Sequence, residues 1–321
     1  MRPSEPSRGI SALFRKRACD VLGNRIIVLT PVNALLERIV LIGASGKLGS
    51  GLLDALAPFG PIVANRSAYD LADAGDMRAL VARFRPTVVI NTAAYHQVEQ
   101  CEIHPDRALA INAVAVDALA ATCALTGAAF VHVSTDYVFD GRANRPYRED
   151  DALNPINAYG VSKAAGEHLL RRHGERTMIV RTSGLYGAGR GRIPEDTFVE
   201  RIFAQAARGE AIRVVNDVTF SPSSCVDVAA AIRAILERGA FGIYHVTNGG
   251  HCTWYEFACE AFRLARLDPA RIEPVSYKSF DTYVSRPTFS ALEPAAMTRE
   301  GLPLPPSWQS ALATYVARRA S

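Results

Sequence analysis

From Arg38 onward, short apolar runs alternate with segments of helical period, and this alternation limits the fold more than any other feature of the sequence. The runs are rich in β-branched residues and lack regular polar interruptions, which is typical of strands buried on both faces. In chain order they are "RIVLI", "PIVAN", "TVVINTAA", "AFVHVSTDYVF" and "TMIVRTS". The segments between them, such as "MRALVARF", repeat apolar residues at the helical period. The pattern predicts an α/β fold in which helices cover both faces of a doubly wound parallel sheet.

The rhythm changes after about Gly184, where polar, Gly-rich and Pro-rich segments separate shorter elements. We therefore predict a smaller C-terminal lobe that binds the substrate. The expected division is a sheet domain at 38–183, to which 221–247 return, and a lobe built from 184–220 and 248–321.

Residues 1–37 are basic and polar, and they follow neither the strand period nor the helical period. Charged side chains such as Arg15, Lys16 and Arg17 interrupt any secretory signal. We expect a flexible tail or a start codon assigned too early, with a transit peptide as the less favoured alternative.

The composition limits the classes of function that the protein can have. Hydrophobic residues make up 49% of the 321 residues, which indicates a folded core. A net charge of +4 is too small over this length to indicate a nucleic-acid partner. No apolar run approaches the roughly 20 residues that span a bilayer, so no membrane partner is expected. Six scattered cysteines and seven histidines show no ligand spacing, which predicts reduced thiols, packed or surface histidines, a cytoplasmic protein and no metal site.

The first predicted strand and helix are joined by "GASGKLG", which contains Gly43, Gly46 and Gly49. Glycines let the backbone turn sharply and approach a pyrophosphate, and a helix N-terminus offers free N–H groups to it. A plain turn with small packing residues is the alternative. The position of the loop directly after the first strand favours a dinucleotide site, and with it a Rossmann-like sheet.

The second predicted strand ends in Asn65 and Arg66, where many NAD-binding proteins carry an acidic residue that holds the adenine ribose. An arginine there would instead attract a 2′-phosphate. We predict NADPH as the cofactor, with NADH as the alternative.

Tyr159 and Lys163 lie four residues apart in "NAYGVSKAAGE" and therefore project from the same side of a helix. A free phenol has a pKa of about 10, and a neighbouring ammonium lowers that pKa. We expect Tyr159 to protonate a carbonyl oxygen, while Val161, Ala165 and Leu169 bury another face of the helix against the sheet. A polar pair on the helix surface is the alternative.

Motifs along most of the chain carry a resemblance to a known family. They are "GASGKLG", "DLAD", "RPTVVINTAAY", "VHVSTDYVFDG", "PYREDDALNPINAYGVSK", "VRTSGLYG", "GIYHVTNGG", "TWYEFA" and "RPTFSAL". From about Arg38 to Trp308, the chain resembles extended short-chain dehydrogenases/reductases and, among them, the dTDP-4-dehydrorhamnose reductases. The resemblance implies a cytoplasmic, NADP-dependent oxidoreductase of dTDP-rhamnose biosynthesis. Its expected reaction reduces the C4 keto group of a nucleotide-linked 4-keto-6-deoxyhexose, dTDP-4-dehydrorhamnose, to dTDP-L-rhamnose.

The resemblance also implies roles for individual residues. Thr135, Tyr159 and Lys163 would form the catalytic triad, in which Thr135 bonds the substrate carbonyl and Lys163 binds the nicotinamide ribose. Cofactor contacts would come from Gly43, Gly46, Lys47, Leu48, Gly49, Asp70, Leu71, Ala93, Ala94 and Tyr95. The sugar would contact Thr135, Asp136, Tyr137 and Arg286. The alternatives are a capping hydroxyl at Thr135, a turn residue at Asp136 and a surface arginine at Arg286.

The sequence departs from the family in its expected sugar pocket. Family members commonly carry a tryptophan that packs on the deoxysugar where this chain has Gly184. Glu99 replaces an aspartate, and Val218-Thr219 replace a Gln-Gly-like pair. The identity of the sugar and the stereochemistry of the product therefore stay open.

Two other functions compete with the reductase. The regulatory β subunit of methionine adenosyltransferase resembles the same family and binds a nicotinamide cofactor beside a partner enzyme, but the intact Thr135, Tyr159 and Lys163 argue against that role. Epimerases and dehydratases of the superfamily keep the Tyr–Lys pair but lack the C-terminal motifs. The oligomeric state, with a homodimer among the alternatives, stays open.

Overall fold

The computed structural model describes residues 19–21, 26–28, 32–187, 197–280 and 283–319. The chain divides into two compact units, Met1–Pro31 and Val32–Ser321. In the first unit, β1 (Cys19–Val21) pairs antiparallel with β2 (Ile26–Val28). The rest of that unit, and with it most of the predicted tail, lies outside the described residues.

The strands of the second unit follow the predicted order. They are β3 (Ile39–Ile42), β4 (Ile62–Ala64), β5 (Val88–Asn91), β6 (Ala129–Thr135), β7 (Thr177–Thr182), β8 (Leu185–Tyr186), β9 (Ile212–Val215), β10 (Thr219–Phe220), β11 (Ser223–Ser224), β12 (Gly242–His245), β13 (Cys252–Thr253) and β14 (Ile272–Val275). Six of them form a parallel sheet in the order β12-β7-β6-β5-β3-β4. Because β3 lies between β4 and β5, the strand order reverses there, and open sheets bind ligands outside the carboxyl ends of such strands.

The helices alternate with these strands. They are α1 (Val32–Leu35), α2 (Lys47–Ala55), α3 (Ala74–Phe84), α4 (Val98–Ile103), α5 (Pro105–Leu109), α6 (Ala115–Thr126), α7 (Ala158–Leu170), α8 (Phe198–Ala207), α9 (Cys225–Arg238), α10 (Trp254–Leu264), α11 (Ala295–Arg299) and α12 (Trp308–Arg319). One hydrophobic core packs α2 and α9 on one face of the sheet, and a second packs α3 and α6 on the other. The predicted Rossmann-like sheet with helices on both faces is therefore confirmed.

A π-helical turn, Ala110–Val114, joins α5 to α6. The resulting helix, Pro105–Thr126, is long and apolar enough to cross a membrane by length and composition, so the expectation that no stretch approaches that length is wrong. Its buried side chains, among them Val116, Leu119 and Cys123, pack in the second core of the sheet domain. Length and composition alone do not distinguish a helix packed in a protein core from a helix that spans a membrane.

A third core gathers α8, α10 and α12 with β9 and β14, which all lie in the segments predicted to form the C-terminal lobe, and we call this region the lobe. The division of the chain stays a prediction, and two sets of contacts cross its expected boundaries. Leu35 and Leu36 already pack in the first core, before the predicted start at residue 38. Met297 and Leu302 also pack there, so the segment around α11 lies with the sheet rather than with the lobe. The structure places α9 and β12, from the predicted returning segment, against the sheet.

Candidate active site

A cleft of about 460 Å³ opens where β3, β5, β6 and β7 end. Its volume lies in the range of small-molecule and cofactor sites. One side is formed by the glycine-rich loop and the start of α2, and the base by the end of β6 and by Tyr159 and Lys163 of α7. The other side comes from the end of β7 and from the C-terminal lobe, which contributes Val218, Phe220, Trp254, Pro287 and Ser290.

The glycine-rich loop is shaped by close backbone contacts. Gly43 has a φ of +81°, and a Cβ there would lie 2.6 Å from Thr92 Oγ1. A Cβ on Gly49 would lie 2.1 Å from the carbonyl oxygen of Gly43, so the loop packs against the helix only with glycine at this position. Gly46 caps α2 without a side-chain hydrogen bond. The start of α2 lines the cleft, and the positive end of a helix dipole favours an anion, so these residues fit the pyrophosphate of a dinucleotide.

Helix α7 does not pack on the face that its apolar residues predict. Val161 is 45% exposed, and Ala165 and Leu169 are only partly buried. Instead the helix approaches its neighbours through glycines: a Cβ on Gly160 would lie 2.1 Å from the carbonyl oxygen of Tyr137. A Cβ on Gly166 would likewise lie 2.3 Å from the carbonyl oxygen of Asn112. The prediction of the buried face of α7 is therefore wrong. The glycines bring the helix closer to the neighbouring backbone than larger apolar side chains would allow.

A buried ion pair fixes α7 to the sheet. Glu167 Oε2 lies 2.7 Å from the Arg181 guanidinium, and both side chains are fully buried. The guanidinium also stands 5.3 Å above the ring of Phe139. Removing one partner of a buried pair costs roughly 3–5 kcal/mol. The pair therefore holds the helix that carries Tyr159 and Lys163 in one position.

Tyr159 lies at the base of the cleft, where its side chain is partly exposed. Its ring meets that of Tyr137 edge-on, with 5.9 Å between the centroids. Burial raises the pKa of Tyr159 well above its usual value, and a hydrogen bond with Thr135 only partly opposes that rise. The expectation that Lys163 lowers this pKa is therefore wrong for this structure, because burial dominates. A phenol is protonated at neutral pH even at its usual pKa of about 10, so the rise leaves Tyr159 in the form that a proton donor needs.

Lys163 contacts strand β6 of the sheet through its ammonium group. Its Nζ lies 2.7 Å from His132 Nε2 and 2.7 Å from the carbonyl oxygen of Val133. Burial lowers the pKa of Lys163 to about 7, although the Glu167 carboxylate opposes the fall. His132 is fully buried, and burial together with the charge of Lys163 lowers its pKa well below the usual value, so the imidazole is neutral.

Asp136 organises the hydroxyls around the cleft. It accepts hydrogen bonds from Thr135 Oγ1 at 3.0 Å, from Ser183 at 2.8 Å and from Ser290 at 2.6 Å. Burial raises the pKa of Asp136, and these hydroxyl bonds oppose the rise. Asp136 is therefore bonded to three protein hydroxyls, and one of these bonds holds Thr135.

Arg286 is held behind Tyr137. It donates a hydrogen bond of 3.1 Å to Tyr137 Oη and forms an ion pair with Glu99. Its neighbour Pro287 lines the cleft, whereas Arg286 does not. Arg286 thus connects the lobe to the sheet side through Tyr137 and Glu99.

The RmlD substrate binding domain family matches residues 37–321. The chain belongs to the RmlD substrate binding domain family. A "dTDP-4-dehydrorhamnose reductase" of Streptomyces griseus is 38% identical over 283 residues, which cover 86% of this chain and 91% of the relative. The "Spore coat polysaccharide biosynthesis protein SpsK" of Bacillus subtilis is 36% identical over 288 residues, which cover 89% of this chain and 99% of that protein.

Solved structures agree with this membership. The crystal structure of the Bacillus anthracis dTDP-4-dehydrorhamnose reductase in complex with NADP superposes with a TM-score of 0.83 at 33% identity, and covers 88% of this chain and 99% of its own. A UDP-glucose 4-epimerase of Thermus thermophilus, at 22% identity and a TM-score of 0.73, shares the fold. The predicted fold and the predicted resemblance are both confirmed.

Within this RmlD-family chain, the cleft brings together most of the residues to which the sequence assigned a role. Those that line it are Gly46, Lys47, Leu48, Gly49, Ala94, Thr135, Asp136, Tyr137, Tyr159 and Lys163. Others lie outside its walls: Gly43, Arg66, Asp70, Leu71, Ala93, Tyr95 and Arg286. Leu71 packs in the second core, and the Asp70 carboxylate accepts a hydrogen bond from the Ala72 N–H. The cofactor roles of the first six of these residues and the substrate role of Arg286 stay predictions, as do the roles assigned to the residues that line the cleft.

Sequence reasoning missed His132, Phe220 and Trp254. A histidine inside the buried strand "AFVHVST" was the one available signal for the first, since a buried polar group needs a partner. No local pattern marks the two aromatic residues. Among the residues that the structure describes, no group of three His, Cys, Asp or Glu side chains could hold a metal ion. Five described cysteines are free thiols, Cys101, Cys123, Cys225, Cys252 and Cys259.

Proposed function

We propose that this chain is an NADPH-dependent reductase that converts dTDP-4-dehydrorhamnose to dTDP-L-rhamnose. The observation that carries the proposal is the placement of Thr135, Tyr159 and Lys163 at the base of the same cleft that the glycine-rich loop borders. Relatives that are at least 30% identical over most of the chain are named for this reaction. When bound, NADPH supplies the hydride that reduces the C4 carbonyl.

The residues at the base of the cleft supply the proton. The Tyr159 phenol, which is protonated at neutral pH, donates its proton to the C4 oxygen as negative charge develops there. Thr135 bonds the phenol and has a hydroxyl that can turn from Asp136 to the same oxygen. Together these two groups orient the carbonyl and neutralise the alkoxide.

Lys163 completes the arrangement through its charge and its position. In the ammonium form, two of its N–H groups face His132 and Val133, which leaves a third for the nicotinamide ribose. The positive charge also stabilises the phenolate that remains after proton transfer. Lys163 therefore acts after the proton has left Tyr159, rather than by lowering the pKa of the free phenol.

The experiment follows NADPH absorbance with dTDP-4-dehydrorhamnose and identifies the product by NMR. We expect NADPH consumption and a dTDP-6-deoxyhexose with a hydroxyl at C4, and little turnover of the corresponding GDP- and UDP-linked keto sugars. Absence of NADPH consumption with all three would contradict the proposal. Absence of turnover together with a stoichiometric co-purifying partner would favour the non-catalytic alternative.

Cofactor choice is tested with the same assay. Arg66 is exposed just beyond the end of β4, where a 2′-phosphate would be expected. We expect kcat/KM to be higher with NADPH than with NADH, and Arg66→Ala to reduce the ratio. A clear preference for NADH in the wild type would show that Arg66 does not bind the cofactor.

Two coarser expectations accompany the proposal. Cytoplasmic location is supported by the free thiols and by the activated-sugar substrate. A homodimer is tested by light scattering coupled to gel filtration, where a mass of one chain would contradict it.

A further inference from the structure

The lobe side of the cleft carries an aromatic pair that the proposed proton transfer does not use. Phe220 and Trp254 stack with 3.8 Å between ring centroids and 10° between their planes. Both line the same cleft as Tyr159 and Thr135. Phe220 is only 2% exposed, while Trp254 is partly exposed. Trp254 is therefore the ring with free surface, and Phe220 supports it from behind.

The pair is held rigidly by the lobe. Phe220 on β10 pairs with Cys252 on β13, two residues before Trp254. Trp254 is the first residue of α10, which Thr253 and Glu256 cap reciprocally. Phe198 meets Trp254 edge-on, with ring centroids 4.8 Å apart. Such support fixes the orientation of the pair before a ligand arrives, which lowers the entropic cost of binding.

The glycine at position 184 is structurally coupled to Phe220. Gly184 has a φ of +52°, and a Cβ there would lie 2.3 Å from both Cδ2 and Cε2 of the Phe220 ring. A larger side chain at position 184 therefore cannot coexist with Phe220 in this position. The position of the Phe220 ring in the pocket wall therefore depends on the glycine at position 184.

We propose that Trp254, supported by Phe220, forms the apolar wall of the sugar pocket and binds the hydrocarbon face and C6 methyl group of the 6-deoxyhexose. Trp254 would take the part that the family resemblance assigns to a tryptophan at position 184. Polar groups, Thr135, Asp136 and Ser183, lie elsewhere in the cleft, so the aromatic pair supplies the apolar surface that a deoxysugar requires. This inference rests on the proposed function, since it names the group recognised at that same site.

The test compares the binding of dTDP-L-rhamnose with that of dTDP, measured by calorimetry in the presence of NADP+. We expect Trp254→Ala to weaken dTDP-L-rhamnose binding about tenfold or more while dTDP binding changes by less than about twofold. Trp254→Phe should keep most of the affinity, and Phe220→Leu should show a smaller loss of the same kind. Phe262→Leu is the matched control, because Phe262 is a buried aromatic residue of α10 that does not line the cleft.

The outcomes separate the inference from the proposed function. Equal weakening of both ligands in Trp254→Ala would place the nucleotide, not the sugar, on this wall and would overturn the inference. Unchanged binding of dTDP-L-rhamnose in a folded Trp254→Ala variant would also overturn it. A wild-type protein that binds neither ligand would count against the proposed function itself.

Discussion

The two sides of the cleft are built in different ways. The sheet side uses short-range geometry: a glycine loop, the carboxyl ends of parallel strands and one helix place Thr135, Tyr159 and Lys163. The lobe side is formed by segments distant in sequence, where Phe220 fills the space next to Gly184 and stacks on Trp254. Under the proposed function, the first side carries the residues expected to perform the chemistry, while the second carries the proposed sugar wall, where the sequence departs from the family at Gly184.

Removing the phenol of the sheet side gives the largest expected effect. Tyr159→Phe deletes the proton donor and should lower kcat by roughly 10²–10⁴-fold, with dTDP-L-rhamnose binding nearly unchanged. Steady-state kinetics and calorimetry measure the two quantities. Tyr244→Phe is the matched control, because the Tyr244 hydroxyl bonds Glu300 and does not line the cleft. Full activity in Tyr159→Phe would contradict the role of Tyr159 as the proton donor.

His132 tests whether Lys163 needs its support from the sheet. His132→Leu removes the acceptor 2.7 Å from Lys163 Nζ and should lower kcat/KM about 10–100-fold, as expected for a hydrogen bond to a charged group. His132→Gln offers an oxygen near the position of Nε2 and should recover much of the loss. A pH–rate profile would separate a loss of Lys163 positioning from general destabilisation of the protein. Only a change at Lys163 shifts the pH at which kcat/KM begins to fall. Equal activity in all three proteins would contradict the role.

Gly184 tests the coupling on the lobe side. Gly184→Ala should destabilise the protein by about 1–3 kcal/mol, since the Cβ meets the Phe220 ring and φ is positive. Gly239→Ala is the matched control, because Gly239 has a φ of +68° but no atom within 4 Å of its Cβ position. Denaturant unfolding should show a larger loss at position 184, and Phe220→Leu should reduce that excess. Equal losses at both positions would show that no coupling exists.

The pH dependence of reduction follows from Lys163. Its pKa of about 7 means that the ammonium is present below that pH and is lost as the pH rises through it. We expect kcat/KM to fall about tenfold per pH unit above that point, because the free enzyme loses the charge that stabilises the phenolate. The break in kcat should lie at higher pH, since bound phosphates favour the ammonium. A flat kcat/KM profile from about pH 6 to 9 would contradict this assignment.

The sequence separation of the contacts explains which features the sequence could predict. Strand and helix periods, glycine spacing and the Tyr159–Lys163 interval are local patterns, and the structure bears out the sheet and loop that they indicate. The contacts that sequence reasoning missed join distant residues: Lys163 meets His132 across 31 positions, and Arg181 meets Glu167 across 14. The buried face of α7 was misjudged because Gly160 and Gly166 allow a close approach that hydrophobicity does not reveal.

A crystal structure with NADP+ and dTDP-L-rhamnose bound tests both sides of the cleft in one measurement. We expect the C4 hydroxyl of the sugar within about 2.6–3.2 Å of Tyr159 Oη, and the hydrocarbon face of the sugar against Trp254. A sugar bound with its C4 hydroxyl beyond hydrogen-bond reach of both Tyr159 and Thr135 would contradict the account.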